Sequence, residues 1–264
     1  MATKDKQWTR EQLLVAFDLY CQTPFGKMPK TNPSIVRLAA LIGRTPSAVA
    51  MKLGNFASLD PAITSTGRSG LDGASIKDKA IWSEFHTDWE ALAVESKRAL
   101  DALSKGDGHP VVLELELFNE SNDNYEGMTK SVLTAVRIRQ SFFRKAILSS
   151  YQSRCCMSHV TEPMLLIASH IIPWGEDKSN RLNPRNGLCL SAFHDRAFDK
   201  GLITVTPDYR VQVSKRLRKL VKNRFVADGI LSLHAEKILL PDKFWPSQEF
   251  LSWHNRHRFL DSAI

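Results

Sequence analysis

Residues 165 to 201 read LLIASHIIPWGEDKSNRLNPRNGLCLSAFHDRAFDKG, and this stretch decides the fold. LLIASHI is an apolar run with the length of a buried strand, closed by Pro173 and Trp174, so His170 falls near the strand's end. The polar loop GEDKSNRLNPR turns the chain to Asn186 and a second apolar segment, NGLCL. Ser191 is placed to cap a short helix running to about Lys200, and Gly201 is suited to end it. The order is strand, loop and helix, with His170, Asn186 and His194 spaced along it.

His170 followed by Ile171 and a nearby proline, Asn186 in a loop and His194 on the next helix resemble the HNH nuclease family, in the subgroup with an SHIIPW-like first motif. RIRQSFFRKAIL, HDRAFDKG and the late LSWHNRHRF resemble that subgroup too, so the likeness covers roughly residues 136 to 260. It implies an α+β fold with a ββα-metal nuclease domain. The activity it implies is metal-dependent DNA cleavage in a bacterial or phage restriction or defence setting.

Phosphodiester hydrolysis needs an activated water and stabilisation of charge on the phosphate and the leaving oxygen, which a neutral imidazole and a divalent cation supply. On the resemblance, His170 is the general base and His194 a metal ligand, while Asn186 either binds the metal through its amide oxygen or pins the loop that aims His170. A neutral base predicts activity that falls as pH drops through the ordinary histidine range, near 6.5. Asp199, about 140° round an ideal helix from His194, reads as structural or supporting, and Asp195 stays unassigned. Many HNH enzymes place a metal-binding Asp or His immediately before the base. Here Ser169 stands there, which predicts one water-rich ion held by few protein groups: Mg²⁺ first, Mn²⁺ or Ni²⁺ as alternatives. Cys156 with His159 has ligand spacing, but Ala192 stands where a partner for Cys189 is needed, so no structural zinc is expected. Arg185, Arg196 and Lys200 flank the motif and are candidate phosphate contacts.

A net charge of +8 over 264 residues favours an anionic partner, and DNA is the expected one. No apolar run approaches membrane-spanning length and the N-terminus MATKDKQWTREQ lacks a signal-type stretch, which places the chain in a cytoplasm with no membrane partner. The cysteines, Cys21, Cys155, Cys156 and Cys189, form no regular framework and are read as buried thiols.

The remaining sequence organises as a helical, helix-turn-helix-like domain over 1–103, a connection over 104–135 and the nuclease domain over 136–264. Thr9 and Gln12 form a capping-box pair ahead of a first helix. In SIVRLAALIGRTPSAVAMKLGNF, Ser34 is read as capping one helix, Gly43 as the turn, and Thr45 with Pro46 as opening the next. That second helix begins with Pro46, Ser47, Ala48, Met51 and Lys52, which lack the Arg, Asn or Gln of bidentate base contacts. Residues 60–73 read as a loop and 76–103 as helical, with Trp82, Phe85 and Trp89 in the core. Residues 136–154 carry five basic residues and no acidic one, with apolar positions at helical spacing. KGLITVTPDYRVQVS reads as a hairpin, and residues 210–224 hold seven basic residues and no acidic one. Trp245, Trp253 and Phe259 read as hydrophobic closure. One such site cuts one strand, so a double-strand break calls for a homodimer or two nicks. Two other functions fit the sequence: a DNA-binding regulator with an inactive HNH scaffold, and a toxin-like nuclease acting on RNA or unspecific nucleic acid.

Overall fold

The computed structural model describes residues 7–68, 70–104 and 130–261, with the side chains of 130–135 excepted. Most of the connection expected over 104–135 lies outside them. The protein is α+β and divides into two compact units, residues 1–145 and 146–264. The dividing point falls within one helix, α7 (Lys130–Ser150).

The first unit is helical. The Thr9 hydroxyl accepts from the Gln12 N–H at 3.2 Å and the Gln12 side chain accepts from the Thr9 N–H, so α1 (Arg10–Gln22) starts with the expected capping box. Its inward residues, Phe17 and Tyr20 among them, meet Phe56, and Phe17 also meets Trp89. Helices α2 (Pro33–Leu41) and α3 (Pro46–Ala57) are joined through Gly43, whose φ of 64° is the left-handed conformation that a glycine turn supplies. Asn32, not Ser34, caps α2: proline occupies the first helical position, so the Ser34 N–H becomes the donor, 2.8 Å from the Asn32 side chain. Lys52, read as part of an outward face, is buried and paired with Asp78 at 2.8 Å. The outward residues of α3 are then Ser47 and Met51. The 60–73 stretch contains a short helix, α4 (Pro61–Thr64), capped by Asp60. The helical region after it is two helices, α5 (Ile76–Thr87) and α6 (Trp89–Ser104), broken at Asp88.

In the second unit β1 (Leu166–His170) and β2 (Gly187–Ser191) pair antiparallel, with Leu166 opposite Ser191 and His170 opposite Gly187. Helix α8 (Ala192–Asp199) follows at once, capped by Ser191, and packs on both strands. The expected hairpin is β3 (Ile203–Val205) with β4 (Val211–Val213). Short helices α9 (Lys215–Arg218) and α10 (Arg224–Gly229) precede α11 (Gln248–His257), which lies on β3. Gly201 ends α8 at a φ of 65°, and a Cβ there would stand 1.9 Å from the Arg258 carbonyl oxygen, so only glycine lets the chain leaving α11 approach. Among the described residues no helix is long and apolar enough to cross a membrane.

His254 ties α11 to this core. Its ring stacks on Phe198 with centroids 3.8 Å apart, its Nδ1 lies 2.8 Å from the Thr204 hydroxyl, and burial lowers its pKa to about 4. A histidine held neutral in the fold stabilises it fully above the unfolded value near 6.5, and that contribution is lost as pH falls from 6.5 towards 4. Urea denaturation of the second unit should show about 2–3 kcal/mol less stability at pH 4.5 than at pH 7 from this group. His254→Gln should remove that share of the difference; an identical pH dependence in the variant would refute the assignment.

Candidate active site

His170 ends β1 where the chain leaves the sheet. Its Nε2 lies 2.8 Å from the Arg181 carbonyl oxygen, which only accepts, so Nε2 carries the proton and the neutral ring has its lone pair on Nδ1. The edge of Trp174 stands against the same ring at 5.6 Å, and Trp174 is itself held by Arg181, whose Nε donates to its carbonyl oxygen and whose guanidinium lies over its indole. Burial, with the Arg181 charge adding to it, lowers the His170 pKa to about 4 against the opposing effect of the carbonyl bond. The imidazole is therefore neutral throughout the physiological range.

Asn186 occupies the last position before β2, is fully buried, and uses its whole amide to hold the loop together. Its Oδ1 accepts from the Ile172 N–H at 2.8 Å, and its Nδ2 donates to the carbonyl oxygens of Ile172 and Asn180 at 3.1 Å each. It fixes the segment after His170 to the loop that carries Arg181.

Helix α8 brings two side chains of different character towards the sheet. His194 is buried, with Nε2 donating to the Gly229 carbonyl oxygen at 2.8 Å and Nδ1 2.8 Å from the Ser191 hydroxyl. Both ring nitrogens are engaged within the protein. Asp195, unassigned by sequence, is half-buried near Ser169, the residue immediately before His170. Burial raises its pKa, the neighbouring Ser169 hydroxyl opposes the rise, and the nearby Asp199 carboxylate adds to it. Asp199 is exposed, 3.6 Å from Lys200 and 4.0 Å from Arg196.

Arg185, Arg196 and Lys200 are all exposed. Arg185 extends from the short 3-10 turn Pro184–Asn186, and the other two lie at and just after the end of α8. Sequence reasoning missed Asp195 because it takes position 169 and helix geometry one residue at a time. Only the folded chain pairs Ser169 with a carboxylate from α8.

Among the described residues no group of three or more His, Cys, Asp and Glu side chains converges in a metal-binding cluster. Residues 155–206 match a family model described as HNH endonuclease (HNH_2), a span that begins at Cys155 and takes in His170, Asn186, α8 and β3. A comparison with curated proteins found no match. The second half of this chain thus carries an HNH endonuclease domain, built on the β1–β2–α8 unit that holds His170.

Proposed function

We propose that the chain is a metal-dependent DNA endonuclease in which His170 acts as general base. The observation that carries this reading is the neutral His170 imidazole, proton fixed on Nε2 by the Arg181 carbonyl and lone pair on Nδ1. Such a nitrogen takes a proton from a water attacking the phosphorus. When bound, a divalent cation supplies electrostatic stabilisation of the charge that builds on the phosphate and leaving oxygens. Asp195 is the side chain we assign to hold it, because in Asn186 and His194, the ligands implied by the family likeness, the amide oxygen takes the Ile172 N–H and Nδ1 faces the Ser191 hydroxyl. A carboxylate with a mostly aquated ion suits Mg²⁺, with Mn²⁺ as substitute and Ni²⁺ less so now that imidazole is absent from the set. Arg185, Arg196 and Lys200 would grip the phosphates beside the cut, supported by the net charge of +8.

The nuclease domain is assigned to 136–264, with 104–135 as connection and 1–103 as a helical domain. Double-strand breaks would arise from a homodimer or successive nicks, and the setting we favour is restriction or phage defence. The test is a parallel digest of duplex DNA, single-stranded DNA and RNA by the full chain, with Mg²⁺, Mn²⁺ or EDTA. Cleavage of duplex DNA with either metal and none with EDTA is expected. Exclusive cleavage of RNA would replace this reading with the toxin-like one, and binding without cleavage under every metal would replace it with the regulator. In the same assay Asp195→Asn should raise the Mn²⁺ concentration for half-maximal cleavage by at least about tenfold.

A further inference from the structure

His194 stands in a cluster that the nuclease reading does not use. Cys155 and Ser158 are three residues apart in sequence, as are Ser191 and His194, which is the x₂ spacing by which two ligand pairs embrace a structural zinc. The four meet in the fold. Cys155 Sγ lies 3.9 Å from His194 Nδ1 and accepts from the backbone N–H groups of Ser158 at 3.4 Å and Ser191 at 3.2 Å. The Ser191 hydroxyl is 2.8 Å from the same Nδ1. The buried Ser158 hydroxyl completes no hydrogen bond of ordinary geometry.

Two further details match a metal knuckle. A sulfur and an imidazole nitrogen on one tetrahedral zinc stand about 3.6 Å apart, given Zn–S near 2.3 Å and Zn–N near 2.0–2.1 Å, which is close to the separation seen here. His194 also donates Nε2–H to a backbone carbonyl, the support that a ligating imidazole generally receives on its far nitrogen. The chain at 155–160 is turned back on itself as such a loop is, with the Cys155 N–H bonded to the Val160 carbonyl oxygen and His159 at a φ of 60°. What differs is the ligand set, since residues 158 and 191 are serines, and the hydrogen bonds present run from the Ser158 and Ser191 N–H groups to Cys155 Sγ and between the Ser191 hydroxyl and His194.

We propose that Cys155, Ser158, Ser191 and His194 form a metal-free knuckle that fastens α8 to the 155–158 turn, and that His194 serves this cage and not the catalytic ion. The cage itself stands apart from the nuclease reading; only the clause on the catalytic ion rests on it. The expected consequence is that two substitutions convert the cage into a metal site with three thiolates and one imidazole.

The experiment is a Co²⁺ titration of the full chain, wild type against Ser158→Cys/Ser191→Cys, read by thiolate-to-cobalt charge-transfer absorption and the visible bands of tetrahedral cobalt. One equivalent bound by the double variant, on the order of 100-fold tighter than by wild type, is the result expected. A double variant with wild-type circular dichroism and no thiolate–cobalt band would overturn the cage, and so would a stoichiometric thiolate–cobalt band in the wild type. The second arm measures Mn²⁺ affinity of His194→Gln by electron paramagnetic resonance. Affinity within about threefold of wild type, together with a lower Tm, is expected; a folded His194→Gln that no longer binds Mn²⁺ would overturn the second clause. Should the wild type bind no Mn²⁺, that clause and the metal-dependent reading fall together, while the cobalt arm still decides the cage.

Discussion

Asp78→Ala is expected to destabilise the N-terminal unit by about 3–5 kcal/mol, the cost of leaving a buried charge without its partner. Asp78 is fully buried and both its carboxylate oxygens take the Lys52 ammonium, at 2.8 and 2.9 Å. The same carboxylate closes the capping box of α5 by accepting from the Ser75 N–H at 2.9 Å, so its removal also frees a helix end. Lys52 cannot escape to water, because its ammonium lies against the Trp8 ring and its residue is 7 % exposed. Differential scanning calorimetry of the full chain should show the first unit's transition lowered. Lys52→Met/Asp78→Leu should recover most of the loss, since replacing both charges removes the desolvation penalty together with the attraction. A single Asp78→Ala that melts with the wild type would show that the pair is solvated.

His170→Ala is expected to lower the cleavage rate by roughly 10²–10⁴-fold, the range that a positioned general base contributes. The loss should fall on kcat with DNA binding unchanged, because His170 meets the Arg181 carbonyl and Trp174 and is not one of the exposed cations. The pH profile follows from the same geometry. A base with a pKa of about 4, lowered chiefly by burial, stays deprotonated well below the ordinary histidine value. Cleavage should therefore hold its rate as pH is lowered through 6.5 and decline only as pH approaches 4, provided the fold survives. A rate that halves near pH 6.5 would mean that His170 is far more solvated than it is here. The expectation drawn from the isolated residue type is thus moved down towards 4, through burial that the sequence does not display.

Local signals were legible in the sequence wherever one residue and its near neighbours decide the outcome. The Thr9–Gln12 capping box, the Gly43 turn, the Ser191 cap of α8 and Gly201 at its end all rest on spacings of a few residues. The apolar run ending at His170 likewise formed a strand, because its length and flanking proline leave little else. What escaped reading depends on partners far apart in the chain. Lys52 reads as an outward lysine until Asp78, 26 residues on, closes over it. The ligand spacing legible in the sequence is Cys156 with His159 and, but for Ala192, Cys189 with position 192, yet the residues that lie together are Cys155, Ser158, Ser191 and His194, two of them serines that thiol spacing does not mark. His194 and Asp195 are adjacent, and only the packing of α8 on β1 decides which turns to Gly229 and which to Ser169.

The central claim, a neutral His170 driving metal-dependent phosphodiester cleavage, is tested most directly by nicking of supercoiled plasmid under single-turnover conditions. Wild type and His170→Ala are compared with Mg²⁺, Mn²⁺ and EDTA, on modified and unmodified DNA. The account predicts nicked circles with Mg²⁺ or Mn²⁺, none with EDTA, and a rate in the variant lower by at least about 10²-fold. Metal-dependent nicking at an undiminished rate by His170→Ala would contradict it.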